Sequence, residues 1–283
     1  MSQAVRRTIP ELLVRYKLEP SLRDVYVEGE FDRDILTSAL SGSDSWSFAI
    51  YPIDCVDITQ ADLEECGLTE GNKQRLIALA SKISRVGEHA NYLCLIDRDL
   101  DHWFTKHPTV PRLKWTKYCS IESHFITHHA LEKIAILAGK AKVSNVDTLF
   151  KSTIETLRTL YALRLADREL NLQMSWVPIK RYLVQGETSV GLNFDGYVRA
   201  LLNKNGKMAE RDMFEDSANR WADQFSDEHR LCCRGHDFTD LLAWIVSKFK
   251  GVSRFGDTEV ISRAFILAAQ GNQEIAEELS APG

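Results

Sequence analysis

The first part of the chain alternates compact apolar runs with amphipathic stretches. Val25, Tyr26 and Val27 form a β-branched and aromatic run that predicts a buried strand, ended by Gly29. Phe31, Ile35, Leu36 and Leu40 then share one helical face. Ahead of this unit, Thr8, Pro10 and Glu11 predict a short helix, with Thr8 or a neighbour as cap and proline in the first turn. Ser47 to Ile53 reads as a second strand. Gly71 to Val86 reads as a helix with Leu76, Ile77, Leu79, Ala80 and Ile83 apolar. Tyr92 to Ile96 is the most apolar strand of all. A short strand is expected near Tyr118 to Ile121, followed by a helix from Ser123 to Leu137. This alternation predicts an α/β fold, a parallel sheet with helices packed on it.

From about Val143 the period becomes helical. Thr148–Leu165, Phe194–Leu202, Lys207–Phe225, Phe238–Phe249 and Thr258–Gln270 all carry it. The expected organisation is an α/β domain over residues 1–142 and a mostly helical region over 143–283. With no Pro/Gly/Ser-rich linker between them, the second is expected to pack on the first. The 283 residues are 44% hydrophobic and 27% charged, ordinary for a water-soluble domain. A net charge of −5 excludes a protein that coats nucleic acid by bulk charge, so any such contact is local. The first residues lack the apolar core of a signal peptide, and no apolar run is long enough to span a bilayer. The six cysteines show no metal-ligand spacing and read as reduced thiols, so a cytoplasmic location without membrane contact is expected.

Two acidic stretches carry the candidate chemistry: VEGEFD, Val27 to Asp32, and IDRDLD, Ile96 to Asp101. Each places an acid directly after an apolar strand, and ligands of parallel α/β sheets bind at the carboxyl ends of strands. Glu28, Asp97 and Asp99 are therefore the candidate catalytic and metal-holding residues. In extended chain, residues two apart point the same way, so Asp97 and Asp99 are expected to face one pocket. Hard oxygen donors suit Mg²⁺ or Mn²⁺ rather than zinc. Glu28 is also placed to act as general base on the attacking water.

These motifs resemble the Toprim signature, a Glu-Gly after the first strand and a D-x-D after a later one. Cys119 to Phe125 (CSIESHF), Gly235-His236-Asp237-Phe238 and Gly71-Asn72-Lys73 resemble segments of a Toprim-like family that includes the AriB effectors of the PARIS anti-phage system. Ser123-His124 departs from the Asn-Tyr of that family. The resemblance implies a Toprim-like sheet with a helical C-terminal region. It also implies a metal-dependent nuclease acting as a toxic defence effector that cuts host RNA, transfer RNA in the nearest relatives. An ABC-type ATPase partner (AriA-like) would hold and release it; the chain has no G-x-x-x-x-G-K-[ST] loop of its own. Homodimers are common among such nucleases. By the same resemblance, Lys73 and His236 are candidate substrate contacts.

Several residues keep two readings. Glu122 is a further metal ligand or a first-turn acid. Asp101 is a ligand or, by preference, a loop cap. Asp237 is a helix N-cap or a site residue. His124 and His128 read as helix surface, and Cys232-Cys233 as apolar filling. Lys180-Arg181-Tyr182, Lys204, Lys207 and Arg211 either contact a phosphate backbone or are scattered surface charges. A Toprim-fold binding or regulatory module without chemistry, and a DNA-cleaving OLD-like nuclease, are the alternative functions. A primase or topoisomerase fragment lacks its accompanying domains.

Overall fold

The computed structural model describes residues 6–41, 48–84, 91–104 and 109–279. The chain forms two compact units. One comprises Met1–Ile121 with Ile266–Gly283, the other Glu122–Phe265. The sequence reading put its boundary at 142/143, following the change of periodicity.

The first unit runs β1 (Arg7–Thr8), α1 (Ile9–Leu18), β2 (Asp24–Val27), α2 (Glu30–Leu40), β3 (Ala49–Pro52), β4 (Val56–Asp57), α3 (Gln60–Glu65), α4 (Asn72–Ser84), β5 (Tyr92–Ile96), α5 (Asp101–Phe104) and β6 (Leu113–Trp115). Its main sheet has four strands in the order β3-β2-β5-β6, all parallel. The expected mixed α/β class, with parallel strands flanked by helices, is what forms. Thr8 caps α1 as the sequence suggests: its side chain accepts from the Glu11 N–H, and Glu11 reaches back to the Thr8 N–H at 2.7 Å. Leu12, Tyr16, Tyr26, Ile53, Leu76, Leu79, Ile83, Cys94 and Ile96 form the core. A polar network is buried within it. Asp24 accepts from Arg15 at 2.5 Å and from the Tyr16 hydroxyl at 3.0 Å. Burial pushes both the Tyr16 and Tyr26 hydroxyls far above the ordinary tyrosine range.

Residues 266–279 belong to this unit through specific bonds. Ser38 donates to the Ile266 carbonyl at 2.6 Å, the Lys117 N–H to Glu278 at 2.7 Å, and the Tyr118 hydroxyl to Glu274 at 2.6 Å.

Three expectations need adjusting. Tyr118 to Ile121 is not a strand; the edge strand is β6. The apolar Tyr118–Ile121 segment is buried as an irregular turn, its backbone carbonyls taken by the Thr116 hydroxyl and the Asp99 N–H. The helix expected over Ser123 to Leu137 is broken. A 3₁₀ turn covers Ile121–Phe125, Thr127 caps a new helix, α6 (His128–Leu131), and a π-helical stretch covers Glu132–Ala138. The strand expected from Ser47 starts at Ala49, and Ser47 and Val86 lie outside the described residues.

The second unit continues with α7 (Val146–Glu169), a two-stranded antiparallel hairpin of β7 (Leu183–Gln185) and β8 (Val190–Leu192), α8 (Phe194–Asn205), α9 (Arg211–Ala222), α10 (Gly235–Lys248) and α11 (Thr258–Ala268), the last of which runs on past the unit boundary at Phe265. The five helical periods of the sequence appear as these five helices. Phe238 of α10 stacks on Phe265 at 6.0 Å, and Phe125 stacks on the same ring at 4.7 Å. Among the described residues no helix is long and apolar enough to cross a membrane.

Candidate active site at the carboxyl edge of the sheet

β2 and β5 are hydrogen-bonded neighbours, with Asp24 level with Tyr92 and Tyr26 with Cys94. Both strands are fully buried and both stop where an acid follows. Parallel pairing in this register brings Glu28 and Asp97, 69 residues apart, to the same edge. The Glu28 carboxylate accepts the Asp97 N–H at 3.0 Å. Asp97 in turn accepts the Ile121 N–H at 3.2 Å. The α4 N-terminus lies beside them, because the Asn72 side chain donates to the Glu28 carbonyl at 2.8 Å. Asp32 accepts the Gly29 N–H at 2.9 Å, which fixes the turn from β2 into α2.

Asp99 departs from expectation. The chain is not extended beyond Ile96: Asp99 takes a left-handed backbone, φ +47°, with its N–H on the Cys119 carbonyl at 2.8 Å. The every-other-residue rule for an extended chain therefore does not place its side chain beside that of Asp97. Asp99 instead pairs with Lys73 at 2.5 Å, and Asp101, at the start of α5, pairs with the same ammonium at 3.0 Å. Lys73 also lies 5.5 Å from the Trp115 ring centre. Burial alone would lower the Lys73 pKa, but the charges and hydrogen bonds of Asp99, then Asp101, outweigh it and hold the group above the ordinary lysine value.

The donor chemistry at this edge fits a hard divalent cation: Glu28 and Asp97 both bring carboxylate oxygens to it. Among the described residues no group of three or more His, Cys, Asp or Glu side chains is disposed to hold an ion. Mg²⁺ is commonly held by one or two protein carboxylates with substrate phosphate completing the shell.

The remaining candidates lie in the second unit. Glu122 is buried, its Oε1 is 3.4 Å from Nδ1 of the exposed His236, and its Oε2 has no hydrogen-bond partner. The two motifs IES and GHD thus meet, which no local signal announces. Asp237 does not cap α10. Its carboxylate is buried in a two-pronged pair with Arg164, at 2.9 and 3.2 Å, and Arg164 stacks on Trp176 at 4.3 Å. His124 is buried in the 3₁₀ turn rather than exposed on a helix. Cys232 and Cys233 are buried, as filling residues should be. Three of the basic groups read as possible phosphate contacts have partners within the chain. Lys180 pairs with Asp240 at 3.2 Å, Lys204 donates to the Trp176 carbonyl at 2.9 Å, and Arg211 pairs with Asp195 at 2.5 Å and Glu215 at 2.7 Å.

In comparisons with known proteins, no family model matches the chain and no curated protein matches it.

Proposed function

We propose that the chain is a Mg²⁺- or Mn²⁺-dependent phosphodiesterase with a Toprim-like sheet, a nuclease acting on RNA in preference to DNA. The observation that carries this reading is the meeting of Glu28 and Asp97 at the ends of adjacent parallel strands. Two acids so distant in sequence converge where α/β sheets bind their ligands, and they come from the two motifs that resemble the Toprim signature.

In this reading Glu28 and Asp97 would hold the cation, which would supply Lewis-acid polarisation of the scissile phosphate and of the attacking water. Glu28 takes the proton from that water. The bond from the Asp97 N–H to Glu28 fixes the carboxylate's orientation beforehand, so little reorganisation is needed. Lys73 places positive charge beside the same edge, suited to a phosphate oxygen. The same resemblance extends the proposal to a toxic effector of anti-phage defence, dimeric and held by an ABC-type ATPase.

Incubating the purified chain with Mn²⁺ and labelled transfer RNA, single-stranded DNA and duplex DNA tests the reading. Cleavage of RNA should fall by about 10²–10⁴-fold in Glu28→Gln, the range for loss of a general base. Glutamine still accepts the Asp97 N–H, so the fold is kept. Cleavage of DNA alone would favour the OLD-like alternative. No cleavage of any substrate would favour the second reading, a binding module in which Lys73, Asp99 and Asp101 form a structural ion cluster; their short mutual distances are the observation behind it.

A further inference from the structure

Lys73 stands where local helix energetics do not favour it. It is the second residue of α4, close to the positive end of the helix dipole, where an acid rather than a cation is stabilised. Its side chain keeps only 14% of its exposure, yet its ammonium stays charged. Two carboxylates hold it there: Asp99 from the left-handed turn and Asp101 from the first turn of α5. Asp99 is 41% exposed, so one face of the cluster is open to an arriving group. The chain therefore carries its own cation among the acids at the carboxyl edge.

We propose that Lys73 is a resident counter-ion that neutralises Asp99 and Asp101 until a backbone phosphate of nucleic acid draws its ammonium away. The proposal rests on the nuclease reading of the same edge and adds its regulation. While Lys73 holds the two acids, the edge carries less negative charge and attracts a divalent ion weakly. A backbone phosphate is a further anion within reach of the open face of the cluster, and it competes for the same ammonium with charge-assisted hydrogen bonds. Once Lys73 turns to the phosphate, the charges of Asp99 and Asp101 are left uncompensated at the edge where Glu28 and Asp97 stand. Divalent-ion affinity then rises together with substrate binding. Metal and nucleic acid thus bind cooperatively, each improving the affinity of the other by the same factor.

The test is Mn²⁺ binding to the full chain, read by the electron paramagnetic resonance signal of free Mn²⁺, with circular dichroism confirming that each variant is folded. Lys73→Met should bind Mn²⁺ at least about tenfold more tightly than the unaltered chain, a change of about 1.4 kcal/mol. A phosphorothioate RNA that resists cleavage should produce a comparable gain in the unaltered chain and little gain in Lys73→Met. Equal or weaker Mn²⁺ binding in Lys73→Met, or an oligonucleotide that leaves the affinity of the unaltered chain unchanged, overturns the proposal. If Lys73→Met fails to fold, Lys73→Gln takes its place, and the oligonucleotide arm needs no variant. Failure of the nuclease reading looks different: Mn²⁺ affinities separate as described while no RNA or DNA is cut.

Discussion

The Arg164–Asp237 pair in the second unit joins two largely buried, oppositely charged side chains. Asp237 sits on α10 with its side chain 7% exposed, and Arg164 on α7 is 14% exposed. Both prongs of the guanidinium engage the carboxylate, and the other face of the guanidinium lies over Trp176. Removing one partner of such a pair leaves the other charge buried and unmatched, which costs about 3–5 kcal/mol. Asp237→Asn keeps the shape and part of the hydrogen bonding, so about 3 kcal/mol is expected, the lower end of that range. Arg164→Met also loses the cation–π contact, about 1 kcal/mol more at a partly buried ring. The double variant leaves no buried charge, so it should be more stable than the sum of the single losses predicts, by about 2 kcal/mol or more. Urea unfolding of the four proteins, followed by tryptophan fluorescence, gives the coupling energy directly. Additive losses, or a single-variant loss below about 1 kcal/mol, the scale of an exposed ion pair, would refute the argument that this pair is desolvated and mutually dependent.

Three further outcomes follow from local geometry. Burial alone would raise the Asp62 pKa, but hydrogen bonds from Lys82 and Thr59 outweigh it and hold the carboxyl below its ordinary value. That stabilisation is present above the unfolded carboxylate pKa of about 3.9 and lost as pH falls through the depressed folded value, so Lys82→Met should cost up to about 1 kcal/mol at pH 7 and almost nothing near pH 2; an unchanged deficit at both pH values would contradict it. Thr8→Ala removes the single hydroxyl that both accepts the Glu11 N–H and donates to the Glu11 carboxylate, and thermal unfolding should show a loss of about 1 kcal/mol. Gly251→Ala would drive a Cβ against the Gly139 carbonyl oxygen and to 2.6 Å from Val246 Cγ1, so about 1–3 kcal/mol should be lost in urea titration, and a neutral result would mean this corner relaxes freely.

The parts of the fold legible in the sequence are those whose signal is local. β2 and β5 announce themselves because both faces are buried, which forces unbroken apolar runs. The α1 cap is legible because Thr8 and Glu11 stand at the spacing a capping box requires. β6 is not legible, because an edge strand of three half-buried residues with Lys114 at its centre has no run to show. Tyr118 to Ile121 misleads for the opposite reason. It is buried enough to look like a strand, but the side chain of Thr116 and the turn at Asp99 take its backbone groups. The candidate site divides along the same line. Glu28 and Asp97 can be read as acids at strand ends, and adjacency of the two strands then brings them together. The direction of Asp99 cannot be read, since it depends on a single left-handed residue stabilised by the distant Cys119 carbonyl. Nor can the partners of Lys73, Glu122 and Asp237, because an ion pair between separate elements leaves no period in either of them. A motif therefore locates an acid along the chain, but its charge partner decides what the acid is ready to do. At this edge the partner of Asp99 is Lys73, so Asp99 is engaged in an ion pair that its motif alone does not announce.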